Sequence, residues 1–201
     1  MKKLLFIAVI AILSSLNVNA QETPSSTKET SYGVTGGFHA TNINFSINSD
    51  GLTEVDDLGF FIGLFAEFPL SEKFSIQPEF HYSIVSDESF VSDESLAVSP
   101  TFQNLILPVF LKYYITEKFN VMSGQQFDYV TNKDFKIYTR SGLGLSIGLG
   151  VDITDSILIS SRYSFGITDR IDSLEIIDDS IASSDLSAKT NIFQIGLGYR
   201  F

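Results

Sequence analysis

The feature that most constrains this chain is a period of two. In "RSGLGLSIGLGVDITD" (140–155), Leu143, Leu145, Ile147, Leu149, Val151 and Ile153 are apolar, while Gly142, Gly144, Ser146, Gly148, Gly150 and Asp152 fall between them. Successive side chains of a strand point to opposite faces, so this stretch reads as a β-strand with one greasy face and one small, polar face. The same alternation recurs over 32–45, 58–70, 74–85, 104–116, 157–168 and 190–201. In 74–85, for example, Phe74, Ile76, Phe80, Tyr82 and Ile84 oppose Ser75, Gln77, Glu79, His81 and Ser83. The weakest segment is "FNVMSGQQFDYVT" (119–131), where Ser123, Gln125 and Gln126 interrupt the apolar pattern; its neighbours require a strand there.

Eight strands follow, and their connections alternate in length. Three are short: Ser71-Glu72-Lys73, Thr116-Glu117-Lys118 and Thr154-Asp155-Ser156, set in the loose repeat "PLSEKFSI", "YITEKFNV" and "DITDSILI". A hydroxyl residue, an acid and one more polar residue between apolar flanks suit tight hairpins. The others, 46–57, 86–100, 132–138 and 169–188, are longer. An even-stranded up-and-down meander of this kind gathers its short turns at one end, with both termini, and its long loops at the other.

Alternation does not say which face is inside. A soluble lipocalin-type barrel would turn the apolar face to a cavity, and a membrane barrel would turn it to lipid. The strands are about 10–14 residues long, near the roughly 9–11 that cross a bilayer at a tilt. Glycine weakens a water-facing strand surface, but inside a narrow barrel it makes room for long side chains from opposite strands. The polar face also carries both charge signs: Glu67, Glu79, Asp128 and Asp152 against Lys112, Arg140, Arg162 and Arg200. An enclosed interior needs such balance, because an unpaired buried charge is costly. Finally Phe68, Phe74, Tyr113, Phe119, Tyr199 and Phe201 cluster near the short turns, where an interfacial girdle would sit. These features together predict an all-β, eight-stranded antiparallel up-and-down transmembrane β-barrel whose apolar face meets membrane lipid. Closure would leave no backbone edge unpaired in hydrocarbon.

The N-terminus reads as an export signal over 1–20: Met1-Lys2-Lys3, an apolar run from Leu4 to Leu13, and Val18-Asn19-Ala20 before Gln21. Residues 21–31 form a polar, flexible lead-in and 32–201 the barrel. The net charge of -11 excludes a nucleic-acid partner, which needs a basic surface. The absence of cysteine excludes disulfides and thiolate metal sites.

"LILPVFLKYYI" (105–115), with Pro108 and Lys112, "GLGLSIGLGVDI" (142–153) and the terminal "IGLGYRF" (195–201) resemble the PorT-like eight-stranded outer-membrane barrels of Bacteroidetes-type bacteria. The resemblance covers residues 32 to 201. It implies an outer-membrane location with periplasmic termini and extracellular long loops. It also implies that Phe201 is the C-terminal aromatic signal presented to the outer-membrane assembly machinery. The name-giving member belongs to a secretion system, a role that fold alone does not transfer.

Three acidic clusters fall in the long connections: Asp50, Glu54, Asp56 and Asp57; Asp87, Glu88, Asp93 and Glu94; and Asp169, Asp172, Glu175, Asp178, Asp179 and Asp185. Fourteen of the 24 acids therefore gather at one rim, with Arg170 the lone cation among them. Asp87, Glu88, Asp93, Glu94, Asp178 and Asp179 are the candidates for divalent-cation binding there, although the spacing matches no EF-hand loop. The bland alternative is a hydrated acidic rim. His39 and His81 fall on the interior face, and His81 lies beside Glu79 and Ser83, so a base oriented by an acid is conceivable. No nucleophile motif accompanies it, and the expectation is no enzyme and no cofactor. "GLGLSIG" (142–148) fails the dinucleotide fingerprint at Ile147. "DSL" (172–174) and "DSI" (179–181) are similar to bacterial O-glycosylation acceptors. The reading is a small outer-membrane barrel without an open pore, acting through its acidic loops on a surface partner. The alternatives are an accessory of a secretion apparatus and a lipid-modifying enzyme.

Overall fold

A computed structural model of the chain describes residues 28–47, 51–86, 101–131, 139–170 and 186–201. Eight strands occur in chain order: β1 (Ser31–Ile47), β2 (Gly51–Pro69), β3 (Phe74–Ser86), β4 (Thr101–Tyr114), β5 (Phe119–Val130), β6 (Ser141–Asp152), β7 (Ile157–Gly166) and β8 (Leu186–Arg200). Each pairs antiparallel with the next, and β8 pairs with β1, closing the barrel. The closing ladder runs from Gly33↔Arg200 to Ile47↔Leu186, whereas β7 and β8 pair only from Ile157↔Tyr199 to Ser164↔Ile192. No helix among the described residues is long and apolar enough to cross a membrane.

The apolar face of each strand points outward. Leu143, Leu145, Ile147 and Leu149 on β6 are exposed, as are Phe193, Ile195 and Leu197 on β8. Gly142, Gly144, Ser146 and Asp152 point inward and are buried. The aromatics at the short-turn end stack into a band: Phe74 on Tyr113 with ring centroids 5.0 Å apart, Tyr199 on Phe201 at 5.8 Å, and Tyr32 edge-on to Phe68 at 6.4 Å. β5 takes the same parity as its neighbours: Gln126 and Asp128 point inward, and Ser123 and Gln125 outward.

The three short connections share one device. Ser71 Oγ accepts hydrogen bonds from the backbone N–H of Phe74 (3.1 Å) and Lys73 (3.4 Å). Thr116 Oγ1 does the same for Phe119 (3.0 Å) and Lys118 (3.3 Å), and Thr154 Oγ1 for Ile157 (3.0 Å) and Ser156 (3.3 Å). The third residue of each turn then accepts from the neighbouring strand: Lys73 O from Tyr114 N, Lys118 O from Asp152 N and Ser156 O from Arg200 N, at 2.7–2.8 Å. The loose sequence repeat is thus a repeat of one hydrogen-bonded turn, each locked to the next strand.

Two prolines lie inside strands without shifting the register. The β2–β3 ladder breaks between Phe65↔Glu79 and Phe68↔Ile76, around Pro78. The β3–β4 ladder breaks between Pro78↔Val109 and His81↔Ile106, around Pro108. Proline has no N–H to donate, so each break falls where it would be expected.

Two expected loop boundaries need correction. The connection expected over 46–57 is mostly wall, because β1 and β2 pair out to Ile47↔Gly51. Glu54, Asp56 and Asp57 therefore belong to β2 rather than to a loop. Acidic composition suggested a loop, but the ladder is made by backbone groups and accepts polar side chains once the strand leaves hydrocarbon. Likewise β8 starts at Leu186, inside the connection expected over 169–188, and pairs with β1 from there. Among the described residues β7 stops at Gly166 and β3 pairs with β2 no higher than Leu58↔Ser86, so β8, β1 and β2 extend beyond the other strands there.

Candidate functional site

The interior is packed with polar side chains in tiers. At the short-turn end, Glu67 from β2 is buried and held on two sides: Lys112 Nζ donates to Oε2 at 2.8 Å, and the Tyr114 hydroxyl donates to Oε1 at 2.5 Å. Lys112 also donates to Gln77 Oε1 at 2.9 Å. Arg200 lies at the mouth, 3.3 Å from both Glu67 and Asp152, and donates to the Asp155 carbonyl oxygen at 3.0 Å. These partners come from five strands, so the cluster exists only in the closed barrel.

The next tier centres on Glu79. Arg162 Nη1 reaches its Oε2 at 2.5 Å, His81 Nε2 lies 2.6 Å from the same oxygen, and Gln77 donates to Oε1. Phe61 stacks on the His81 ring with centroids 4.8 Å apart. Farther toward the loops the tier is uncharged. Ser83 Oγ lies 2.6 Å from His39 Nε2, and His39 Nδ1 lies 3.1 Å from Thr41 Oγ1. Across the barrel Ser164 donates to Gln126 Oε1 at 2.9 Å and shares a 2.6 Å hydrogen bond with Ser146. At the loop end Arg170 pairs with Asp128.

Interior glycines make this filling possible at two points in particular. A methyl group at Gly63 would meet the His81 ring and the Phe80 carbonyl oxygen, and one at Gly142 would meet the Arg170 guanidinium. The long partners occupy the volume that a side chain there would need.

The residues singled out by charge alternation therefore divide. Glu67, Lys112, Asp152 and Arg200 come together at one mouth, Glu79 and Arg162 meet in the middle, and Asp128 stands at the far end. Arg140 is half-buried just before β6, its carbonyl oxygen accepting from Val130 N at 2.8 Å. Arg170, which composition groups with the acidic rim, turns into the barrel to hold Asp128. Nothing in the period of two signalled this, since Arg170 follows the end of β7. Tyr114 and Gln77 share strand parity with Lys112 and Glu79, which is the signal that could have found them.

The imagined His81–Glu79–Ser83 set is split. His81 goes to Glu79, whereas Ser83 goes to His39 on another strand. All of these side chains are buried in the filled interior. Among the described residues no cluster of three His, Cys, Asp or Glu side chains is placed to hold a metal. The rim candidates Asp87, Glu88, Asp93, Glu94, Asp178 and Asp179, and the DSL and DSI tripeptides, lie outside the described residues.

The short-turn mouth opens into a vestibule of about 430 Å³ lined by Lys28, Glu67, Tyr114, Lys118, Asp152 and Arg200. Lys28, from the segment before β1, sits with Nζ 2.9 Å from the centroid of the Tyr114 ring. Burial draws its pKa below the ordinary lysine value, and the Glu67 and Asp152 carboxylates oppose that shift.

The family model described as "Outer membrane protein beta-barrel domain" matches residues 19–172. Among solved structures, the attachment invasion locus protein Ail of Yersinia pestis is 14% identical, with a TM-score of 0.50 over 87% of this chain and 100% of that one. Neisserial surface protein A is 9% identical, with a TM-score of 0.48 over 87% and 100%. The outer membrane protein OprG of Pseudomonas aeruginosa is 15% identical, with a TM-score of 0.46 over 87% and 97%. No curated protein matches. At 14% identity the likeness to Ail is one of fold.

Proposed function

The chain belongs to the outer membrane protein beta-barrel domain family and is a small barrel of the outer membrane; on that premise we propose that it is a sealed membrane anchor whose acidic loops contact a partner outside the cell. The observation that carries this reading is the filled interior. Glu67, Glu79, Lys112 and Arg162 are all buried and ion-paired across the lumen, and a narrow eight-stranded barrel filled by side chains has no room for an aqueous channel. What remains to contact molecules in the surrounding water is the two ends. In this reading residues 1–20 are the export signal, both termini face the periplasm, Phe201 is read by the assembly machinery, and the long loops face out. The loop acids, Asp87, Glu88, Asp93, Glu94, Asp178 and Asp179 among them, present a negative surface suited to a basic protein partner or to divalent cations.

Planar-bilayer recording tests the sealed interior: the expected result is no steady conductance, and large steady channels would overturn it. Pull-down from native membranes, with the wild type compared against a variant carrying neutral loops, tests the contact surface. The likeness of 105–115, 142–153 and 195–201 to PorT-like barrels favours, as a second reading, an accessory role in protein export. Co-purification with other envelope proteins through the periplasmic end would select that reading. The enzyme alternative is disfavoured by the burial of Ser83, His39 and His81. Deacylation and protease assays on the folded barrel should be negative.

A further inference from the structure

Among the described residues, the lipid-facing surface has one amide at mid-depth, Gln125. On β5 the outward residues are Phe119, Val121, Ser123, Gln125, Phe127 and Tyr129, so Gln125 has apolar or aromatic residues toward both ends of the strand. At about 2.5 Å of height per residue for a strand tilted by about 40°, Gln125 stands about 15 Å from the level of Phe119 and about 10 Å from that of Tyr129, close to the midplane of a band about 25 Å tall. Across the ladders it is flanked by Val109 and Leu145, both exposed and apolar. Its side chain is exposed, and its amide makes no hydrogen bond with the described residues. An acyl chain offers neither donor nor acceptor, so a polar group left there is unsatisfied. Gln126, next along the chain, points inward and is bonded to Ser146 and Ser164; the interior has no use for a second amide on the outside.

We infer that Gln125 marks a contact between two copies of this chain within the membrane. Two barrels inserted in the same orientation can be related only by rotation about the membrane normal, and that rotation preserves depth. A twofold axis beside β5 therefore sets Gln125 of one copy level with Gln125 of the other. A carboxamide carries both a donor and an acceptor, so two of them facing each other satisfy both. Ser123 and Ser161, also in the outward belt, carry single hydroxyls, which form one hydrogen bond when paired where two carboxamides form two. Small Ser123 beside Gln125 lets the two walls approach, as small residues do at contacts within membranes. The same side of the barrel carries a depression of about 550 Å³ bordered by Leu111, Val121, Ser123, Ile147 and Tyr163, which gives side chains of the second copy room to seat. This contact is independent of what the loops bind.

The test uses the full chain in its native outer membrane, and the absence of cysteine makes it clean. Ser123→Cys, which leaves the Gln125 amide in place, should under mild oxidation give a disulfide-linked dimer about tenfold above Ile62→Cys and Ile195→Cys, which face lipid elsewhere on the wall. Crosslinking is scored only on the fraction whose gel mobility changes on heating, so a folding defect cannot imitate a negative result. Independently, Gln125→Leu, which lipid should accept without loss of folding, should shift dimer to monomer about tenfold in sedimentation of the purified barrel. Crosslinking at the control level would overturn the proposal and leave lipid as the occupant of this face. A Ser123→Cys adduct to a different protein in place of the dimer would overturn it too, as would a Gln125→Leu variant that dimerises like the wild type.

Discussion

At the short-turn end, three hydroxyls in corresponding turn positions accept the same two backbone hydrogen bonds, and the mouth above them is closed by a network of Glu67, Lys112, Tyr114, Asp152 and Arg200. At the opposite end, among the described residues, β1, β2 and β8 extend beyond the other five strands, and Arg170 pairs there with Asp128. The difference shows where rigidity is concentrated. Repeated short turns fix the register and hold the ion network in place.

The largest effect that would sharpen this contrast lies in the Glu79 tier. Glu79→Ala leaves Arg162 and His81 buried without their carboxylate and should cost about 3–5 kcal/mol in urea unfolding of the barrel in lipid vesicles. Asp128→Ala should cost less than half as much, since water partly reaches the Asp128 carboxylate where Glu79 is sealed. Equal losses at the two sites would remove the distinction between the ends.

Packing gives the next effect. Gly63→Ala brings a methyl against the Phe80 carbonyl oxygen and the His81 ring and should destabilise by about 1–3 kcal/mol in the same assay. Gly142→Ala meets only the far end of Arg170, which can move, so its cost should be clearly smaller. Thr116→Ala removes the acceptor for two backbone N–H groups and should cost about 1 kcal/mol, while Thr116→Ser should recover most of that loss. If Thr116→Ala unfolds at the wild-type urea concentration, the turn hydroxyls do not set the stability of that end. Smallest of all, converting Asp87, Glu88, Asp93 and Glu94 to their amides should change stability by no more than about 0.5 kcal/mol. A larger change, or calcium heat in calorimetry that vanishes in this variant, would show that the acids organise the loop end.

The strands were legible because the period of two is local: it needs only neighbouring side chains, and it held even for β5, where Ser123 and Gln125 interrupt the apolar face without changing its parity. The short turns were legible because their hydroxyl residue repeats. The pairing of interior side chains was only partly legible. Alternation shows which residues point inward, but which ones meet depends on the stagger of strands around the barrel, a property of closure rather than of any one segment. For that reason Lys112 could be expected inside while its bond to Glu67 could not, and Ser83 found His39 on β1 instead of His81 two residues away. Arg170 escaped because it lies beyond the end of the pattern. The heights of β1 and β2 were missed because Glu54, Asp56 and Asp57 suggested solvent, which is compatible with strand as much as with loop.

The closing ladder has a mechanical consequence. The first and last strands, which no peptide bond joins, are zipped from Gly33↔Arg200 to Ile47↔Leu186, and Phe201 N adds a bond to Tyr32 O at 2.9 Å. The covalently consecutive β7 and β8 share a ladder little more than half as long. A sideways parting of the cylinder would therefore break fewest backbone bonds along β7, so the seam where the two chain ends meet is not the weak stave of this barrel.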